Sequence, residues 1–478
     1  MNRSALPRVA ILGGGPVGLG AAYGLVQDRT AEVVVLERCE RAGGTSGSFE
    51  LAGFHVDFGS HRLHPACDPE ILADIRALLG DDLLNRTRHG RIRLRGRWIH
   101  FPLKPLDLAL SLPPGFALGV ATDTAQRGFA RKSRPEQAES FAAVLEASLG
   151  KTICRDFYFP YALKLWGARA EELEPAQAKR RVSVSSMQQL IWKVLSALPG
   201  LRQPGTGGFM YPRQGFGQIA DAYAAAVRES GGDIRLNATV CGVEARTNGA
   251  RTVTYEEGGV ICALQADHVW STIPITALTR AMQPAAPDEC LRAAEEIEYR
   301  GMILVYLVLD QPQFTEYDGH YFPGADVPIT RLSEPKNYSG GNGPADRTVL
   351  CAELPCETRG AEWAMADSEL CALVCDSLER SGIPVCAPVL QVVTRRLPEA
   401  YPIYRRGFEA HLDVLERYFE TIDGLLTLGR QGSFVHDNAH HALFKGYCVA
   451  KCLDERGWFD RDRWRECRRT FATHVVED

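Results

Sequence analysis

The first residues whose types and spacing could do chemistry are Gly13-Gly14-Gly15-Pro16-Val17-Gly18, directly after the apolar run Arg8–Leu12. Gly13 permits a tight turn, Gly15 lets backbone approach a pyrophosphate, and Gly18 allows a helix to pack closely on a strand. The helix opened by Pro16 would face the phosphates with free N–H groups and the positive end of its dipole. A second apolar run ends in Glu37, placed to accept hydrogen bonds from an adenosine ribose, with Arg38 beside it. The pattern predicts a strand Arg8–Leu12, a helix Pro16–Asp28 and a strand Glu32–Glu37, a β-α-β unit that binds a dinucleotide. A purely structural glycine turn leaves Glu37 without an explanation.

A second glycine turn, Gly43-Gly44-Thr45, lies near the same strand end and would bring backbone to a ribityl-pyrophosphate. Far along the chain, Leu428-Gly429-Arg430-Gln431-Gly432 precedes a helix that starts near Asn438 and Ala439, again able to aim N–H groups at a cofactor. Such spread-out contacts imply a long, buried cofactor, FAD rather than NAD. Val240, mid-chain, completes the expected contact set. No cysteine or histidine sits in an attachment motif, so the FAD is expected to be non-covalent.

The elements that must position these residues follow from pattern. Strands are expected at Asp233–Leu236, Arg251–Thr254, His268–Thr272, Ile303–Leu309 and Gly424–Leu428, and helices at 217–230, 361–381 and 438–453. Residues 76–205 read as mostly helical, with a basic strand pair near Arg91–Phe101 and a solvated basic face over Arg86–Arg97. The Ser333–Arg347 segment, rich in Gly, Asn, Ser and Pro, reads as a mobile loop. The fold class is α/β: a Rossmann-type FAD-binding domain (1–75, 206–275 and 396–478) with an inserted α+β cap (76–205 and 276–395).

At 478 residues the chain is too long for one ordinary core. A net charge of −5 and a pI near 6.2 give no basic field for nucleic acid. Leu103–Ala121 is apolar but broken by Pro105, Pro113 and Pro114, so it is not expected to span a membrane. The 14 cysteines are scattered, without a Cys-x-x-Cys pair, and suit a reducing cytoplasm better than a zinc site. His436, His440 and His441 could suggest ligands, but their glycine-arginine context favours a flavin loop, and no metal is expected.

Taken together, Gly13–Gly18, Glu37, Gly43-Gly44, Pro212-Arg213-Gln214-Gly215, Ser271-Thr272-Ile273-Pro274 and Gly429-Arg430 resemble the amine oxidase/protoporphyrinogen oxidase superfamily. The resemblance runs over nearly the whole chain and is nearest to the UDP-galactopyranose mutase branch. Asp57-Phe58-Gly59-Ser60-His61-Arg62-Leu63-His64 is similar to the mutase histidine stretch beside the flavin, and Tyr161–Gly167, with Lys164, Trp166 and Gly167, to its Lys-x-Trp-Gly motif. Arg180-Arg181 and Tyr299-Arg300 fall where mutases carry arginines for nucleotide phosphates, and Tyr401-Pro402-Ile403-Tyr404 resembles an active-site segment. One departure is His440-His441, where the family carries Asp-His.

The resemblance implies a nucleotide sugar isomerised through reduced flavin, with NAD(P)H as a candidate reductant. Arg181 and Arg300 would hold the diphosphate, Trp166 the base or sugar, and His61 or His64 the flavin edge, with Tyr401 and Tyr404 nearby. Each residue also has a plainer reading, as core or solvated surface. An FAD-dependent oxidase, dehydrogenase or desaturase uses most of the same glycines, and a non-enzymatic flavoprotein subunit is the remaining class.

Overall fold

In the computed structural model, residues 6–102, 107, 111–129, 139–181, 208–245, 251–341 and 343–476 are described. Short apolar runs separated widely in sequence share one sheet. Its order is Leu425–Thr427, His268–Ser271, Arg8–Leu12, Glu32–Leu36 and Asp233–Arg235, with every neighbour parallel. Parallel sheets are covered on both faces, which is why Val33-Val34-Val35-Leu36 is apolar without alternation. One face buries Val9, Ile11, Val33, Val35 and Trp270 against the helices Pro16–Asp28, Gln218–Glu229 and Ala439–Ala450. The other buries Ala10, Leu12, Val34 and Leu36 with Tyr255, Leu278 and Leu415.

Over that second face lies a small sheet ordered Val260–Ala266, Arg251–Glu257, Ala238–Ala245 and Met282–Gln283. The pattern had revealed only one of its strands, and that one runs three residues longer than expected. Val260 and Ile261 on its edge strand are exposed, so periodicity carries little signal there.

The cap is built on a seven-stranded sheet ordered Val389–Pro402, Tyr299–Leu309, Thr348–Cys356, Arg331–Ser333, Gly319–Tyr321, Gly90–Leu94 and Arg97–Phe101. Alternation sorts the long central strand. Ile303, Val305 and Leu307 pack toward the helix Asp367–Arg380, whereas Met302, Leu304 and Tyr306 pack on the hairpin Ser48–Leu51/Phe54–Asp57. A separate helical core gathers Phe141, Leu145, Leu165 and Trp166. The architecture is α/β, a Rossmann-type FAD-binding layer with an inserted α+β cap.

Several expectations change in detail. The strand Val389–Pro402 runs through residue 396, where the cofactor domain was expected to resume, and stays in the cap sheet to Pro402. Residues 361–381 form two helices, Ala361–Ala364 and Asp367–Arg380. Ser333–Arg347 is braced: Lys336 Nζ donates to the carbonyls of Pro312, Pro344, Ala345 and Arg347 at 2.8, 2.9, 3.3 and 2.9 Å. The basic hairpin is only partly solvated, because Arg91 lies 4.1 Å from the Trp98 ring centroid and 4.4 Å from that of Tyr317. Part of Leu103–Ala121 lies outside the described residues; among the described residues no helix is long and apolar enough to cross a membrane.

Candidate active site

The first strand ends at Leu12, and Gly13 turns with φ +103° while its N–H donates to Leu36 O at 2.8 Å. A Cβ on Gly18 would collide with the Gly13 carbonyl, so this helix can start so close to the strand only with glycine there. The helix has Gly15 as N-cap, no side-chain cap and no acidic residue in its first turn, leaving its N–H groups for an anion. Glu37 is buried and fixes the loop: Oε2 accepts from Gly14 N at 2.7 Å and Oε1 from Cys39 N at 2.9 Å.

Gly43 N donates to Gly14 O at 2.8 Å, stapling the second glycine turn, with Gly44 and Thr45, onto the first. Ala238 N donates to Glu37 O and Asn237 N to Cys39 O, which brings the strand of Val240 beside Glu37. Arg38 points outward, 3.8 Å from Glu399.

A narrow crevice unites the three distant stretches: Pro16, Ser46 and Leu63 line it from the first, Phe216 from the second, Ala439 and Leu443 from the third. At its carboxyl-terminal side, Gly429 turns with φ +86°, and Arg430 Nη2 donates to Ala400 O at 2.7 Å beneath the Tyr401 ring. Asn438 is the N-cap of the helix that Ala439 begins, and that helix too lacks acidic residues in its first turn. The uncapped helix start at Gly15, the buried Glu37 carboxylate and the second helix start at Asn438 are features that fit FAD, and they would hold it if bound.

The two predicted histidines part company. His61 is stacked on Phe216 at 5.3 Å, with Nε2 3.0 Å from Phe58 O. Burial pushes it down to about 4, so it is neutral near pH 7. His64 stacks instead toward His440, with ring centroids 6.2 Å apart, and its Nδ1 accepts from Ala66 N.

Around His61 the structure adds residues that sequence reasoning missed. Glu353 Oε1 accepts Ser60 N at 3.0 Å and pairs with Arg331 at 2.7 Å. Asp57 accepts from Ser48 Oγ, Tyr211 OH and Phe216 N at 2.6, 2.7 and 2.8 Å. The signal for Glu353 was available: it is a lone acid inside the buried strand Thr348–Cys356.

Trp166, Tyr401 and Tyr404 do converge, and their meeting point is His436. Its ring lies 6.4, 6.1 and 5.1 Å from theirs, and Gln177 Nε2 is 3.3 Å from its Nε2. Trp166 is also core, edge-on to Phe141, and Tyr404 is almost wholly buried, donating to Phe434 O at 3.0 Å. Tyr401 alone of the three is appreciably exposed. Arg300 lies against Gly167, its Nη2 donating to Lys164 O and Pro355 O at 3.4 Å each. Arg180 and Arg181 end the helix Pro175–Arg181, and their side chains lie outside the described residues.

A metal cluster was not expected, yet Asp437, His441 and His474 bring one ligand atom each within 4.8 Å of one another. Spacing hid the group because His474 arrives from beyond the last helix, Arg461–Phe471.

Fold and site thus define a flavoenzyme built from a Rossmann layer and an inserted cap. The chain belongs to the flavin containing amine oxidoreductase family, which it matches over residues 18–411. A local match, 40% identical over 74 residues, links it to polyamine oxidase 2 of Arabidopsis thaliana, spanning 16% of this chain and 15% of that protein. Its fold is similar to that of reduced UDP-galactopyranose mutase, with TM-score 0.78, 19% identity and 94% of each chain covered. It is also similar to cyclohexylamine oxidase of Brevibacterium oxydans, with TM-score 0.64, 16% identity and 93% and 98% of the two chains covered.

Proposed function

We propose that this flavoenzyme is an oxidoreductase that removes hydride from a carbon–hydrogen bond of a small organic substrate, with amines as the leading class. The observation that carries the reading is the state of Arg300. In the guanidinium expected to grip nucleotide phosphate, Nη2 donates to two internal carbonyls, Nη1 lies 3.9 Å from Glu357, and the side chain is only 11% exposed. Tyr401, by contrast, is only partly buried, with its ring beside Arg430 and His436. Amines come first because the matched relatives include a polyamine oxidase and a cyclohexylamine oxidase.

When bound, FAD supplies hydride acceptance, and the protein supplies binding, orientation and electrostatics. Tyr401 offers an aromatic wall to the substrate, and Gln177 holds the His436 ring behind it. Neutral His61 keeps an added positive charge away from its side of the cleft. The Glu353–Arg331 pair fixes the loop that carries His61 through Ser60 N.

The test is anaerobic mixing of FAD-loaded protein with a panel of primary, secondary and polyamine substrates. Loss of oxidised-flavin absorbance is expected with at least one of them. No bleaching by any amine, alcohol or saturated acid tried would defeat the proposal. Nucleotide-sugar isomerisation is the second reading, favoured by the likeness to the mutase fold, and NAD(P)H reduction belongs to it alone. It predicts turnover of a nucleotide sugar by dithionite-reduced protein without net redox change.

A further inference from the structure

We propose that Asp437, His441 and His474 bind one divalent transition-metal ion of the zinc class, clasping the carboxyl-terminal tail to the first turn of the cofactor-facing helix Ala439–Ala450. Two imidazoles and a carboxylate, each offering an atom within 4.8 Å of the others, are the donor set of an open tetrahedral site with water in the fourth position. The His441 and His474 rings stack with centroids 4.3 Å apart at 17°, so the tail histidine is already delivered to its partner.

The donors are ready to bind. His441 Nδ1 is buried without a hydrogen-bond partner, and both ring nitrogens of neighbouring His440 are in the same condition. An ion held by His441 would satisfy a ring nitrogen that otherwise lacks a partner.

The groups facing the site also include a competitor. Asp437 is buried and its Oδ2 takes Lys445 Nζ, which balances the carboxylate when no metal is present. The second carboxylate oxygen is left for a cation. Metal binding therefore works against the ammonium, and removing Lys445 should strengthen it. A group of side chains with only a packing role has no reason to show that opposite response.

The experiment uses untagged, FAD-loaded full-length protein titrated with Co2+, read by ligand-field bands to the red of the flavin absorbance. One Co2+ per chain with tetrahedral intensity, displaced by Zn2+, is expected. His474→Ala should weaken binding at least about tenfold, the scale that even an outer-shell loss produces. Its flavin spectrum reports that the fold is retained. Lys445→Met should bind Co2+ more tightly than the parent, and Zn2+ should raise its melting temperature by more than the parent's. Absence of saturable uptake by the parent, or unchanged affinity in His474→Ala, overturns the proposal. Neither outcome bears on amine oxidation, which is read from the flavin itself.

Discussion

Asp57 shows how a single buried group ties the site together and leaves a measurable trace. It joins the hairpin that carries it to Tyr211 and to the start of the helix Gln218–Glu229, and burial pushes its carboxyl up to about 6 against hydrogen bonds that pull it down. Because the folded value lies above the usual 3.8, the native state holds the extra proton in between. Its contribution to stability is therefore full below about 3.8 and is lost as pH rises through about 6. Urea midpoints of the parent should fall over that window relative to Asp57→Asn, and parallel pH profiles would refute the assignment. Glu353 belongs to the same neighbourhood. Glu353→Ala strands Arg331 with its partner removed and should destabilise by about 3–5 kcal/mol in urea denaturation. Glu353→Gln, which retains an acceptor for Ser60 N, should cost less. The glycines, Glu37 and His61 were legible because a backbone turn or a motif demands those residue types at those spacings. The roles of Asp57 and Glu353 were harder to read: Glu353 offered only the signal of a lone acid in an apolar run, and the bonds to Tyr211, Phe216 and Ser60 span 154, 159 and 293 positions of sequence.

The two helices that begin at the crevice, Pro16–Asp28 and Ala439–Ala450, touch through glycine. A Cβ on Gly446 would lie 2.5 Å from both Ala21 N and Val17 O, and one on Gly20 would lie 2.9 Å from Leu443 O. These are backbone atoms that cannot move aside as a flexible side chain would. Gly446→Ala should therefore push the second helix outward, shift Asn438 and Ala439 from the crevice, and weaken FAD binding at least about tenfold, equivalent to 1.4 kcal/mol. Fluorescence titration of apoprotein with FAD measures it, and an unchanged affinity would show that the helix starts do not share the cofactor. The helices and the parallel strands were readable from the sequence because periodicity and unbroken apolar runs report burial directly. The edge strand Val260–Ala266 was not, because an exposed edge needs no apolar alternation. The loop braced by Lys336 has mobile-loop composition; only the structure reveals a single ammonium collecting its carbonyls.

At the scale of the whole molecule, the parallel sheet is assembled from strands at residues 8–12, 32–36, 233–235, 268–271 and 425–427, with the cap-sheet strands drawn from two insertions, one after the second of these strands and one after the fourth. No stretch can complete either layer alone. Tyr306 of the cap donates to Asp57 O at 2.5 Å, and Tyr299 to Gln431 O at 3.2 Å, so the cap is bonded into both the first and last cofactor stretches. A ligand bound where these stretches meet must stabilise them all together. Free FAD at a hundred times its dissociation constant should add about 2.7 kcal/mol to stability, rising by about 1.4 kcal/mol for each further tenfold. The coupling also predicts the form of the transition. In urea, release of flavin and loss of far-ultraviolet ellipticity should coincide, and both midpoints should move together as FAD concentration rises. A cap that unfolded first, with flavin still bound and its midpoint unaffected by FAD, would show that those inter-layer bonds do not couple cap folding to cofactor binding.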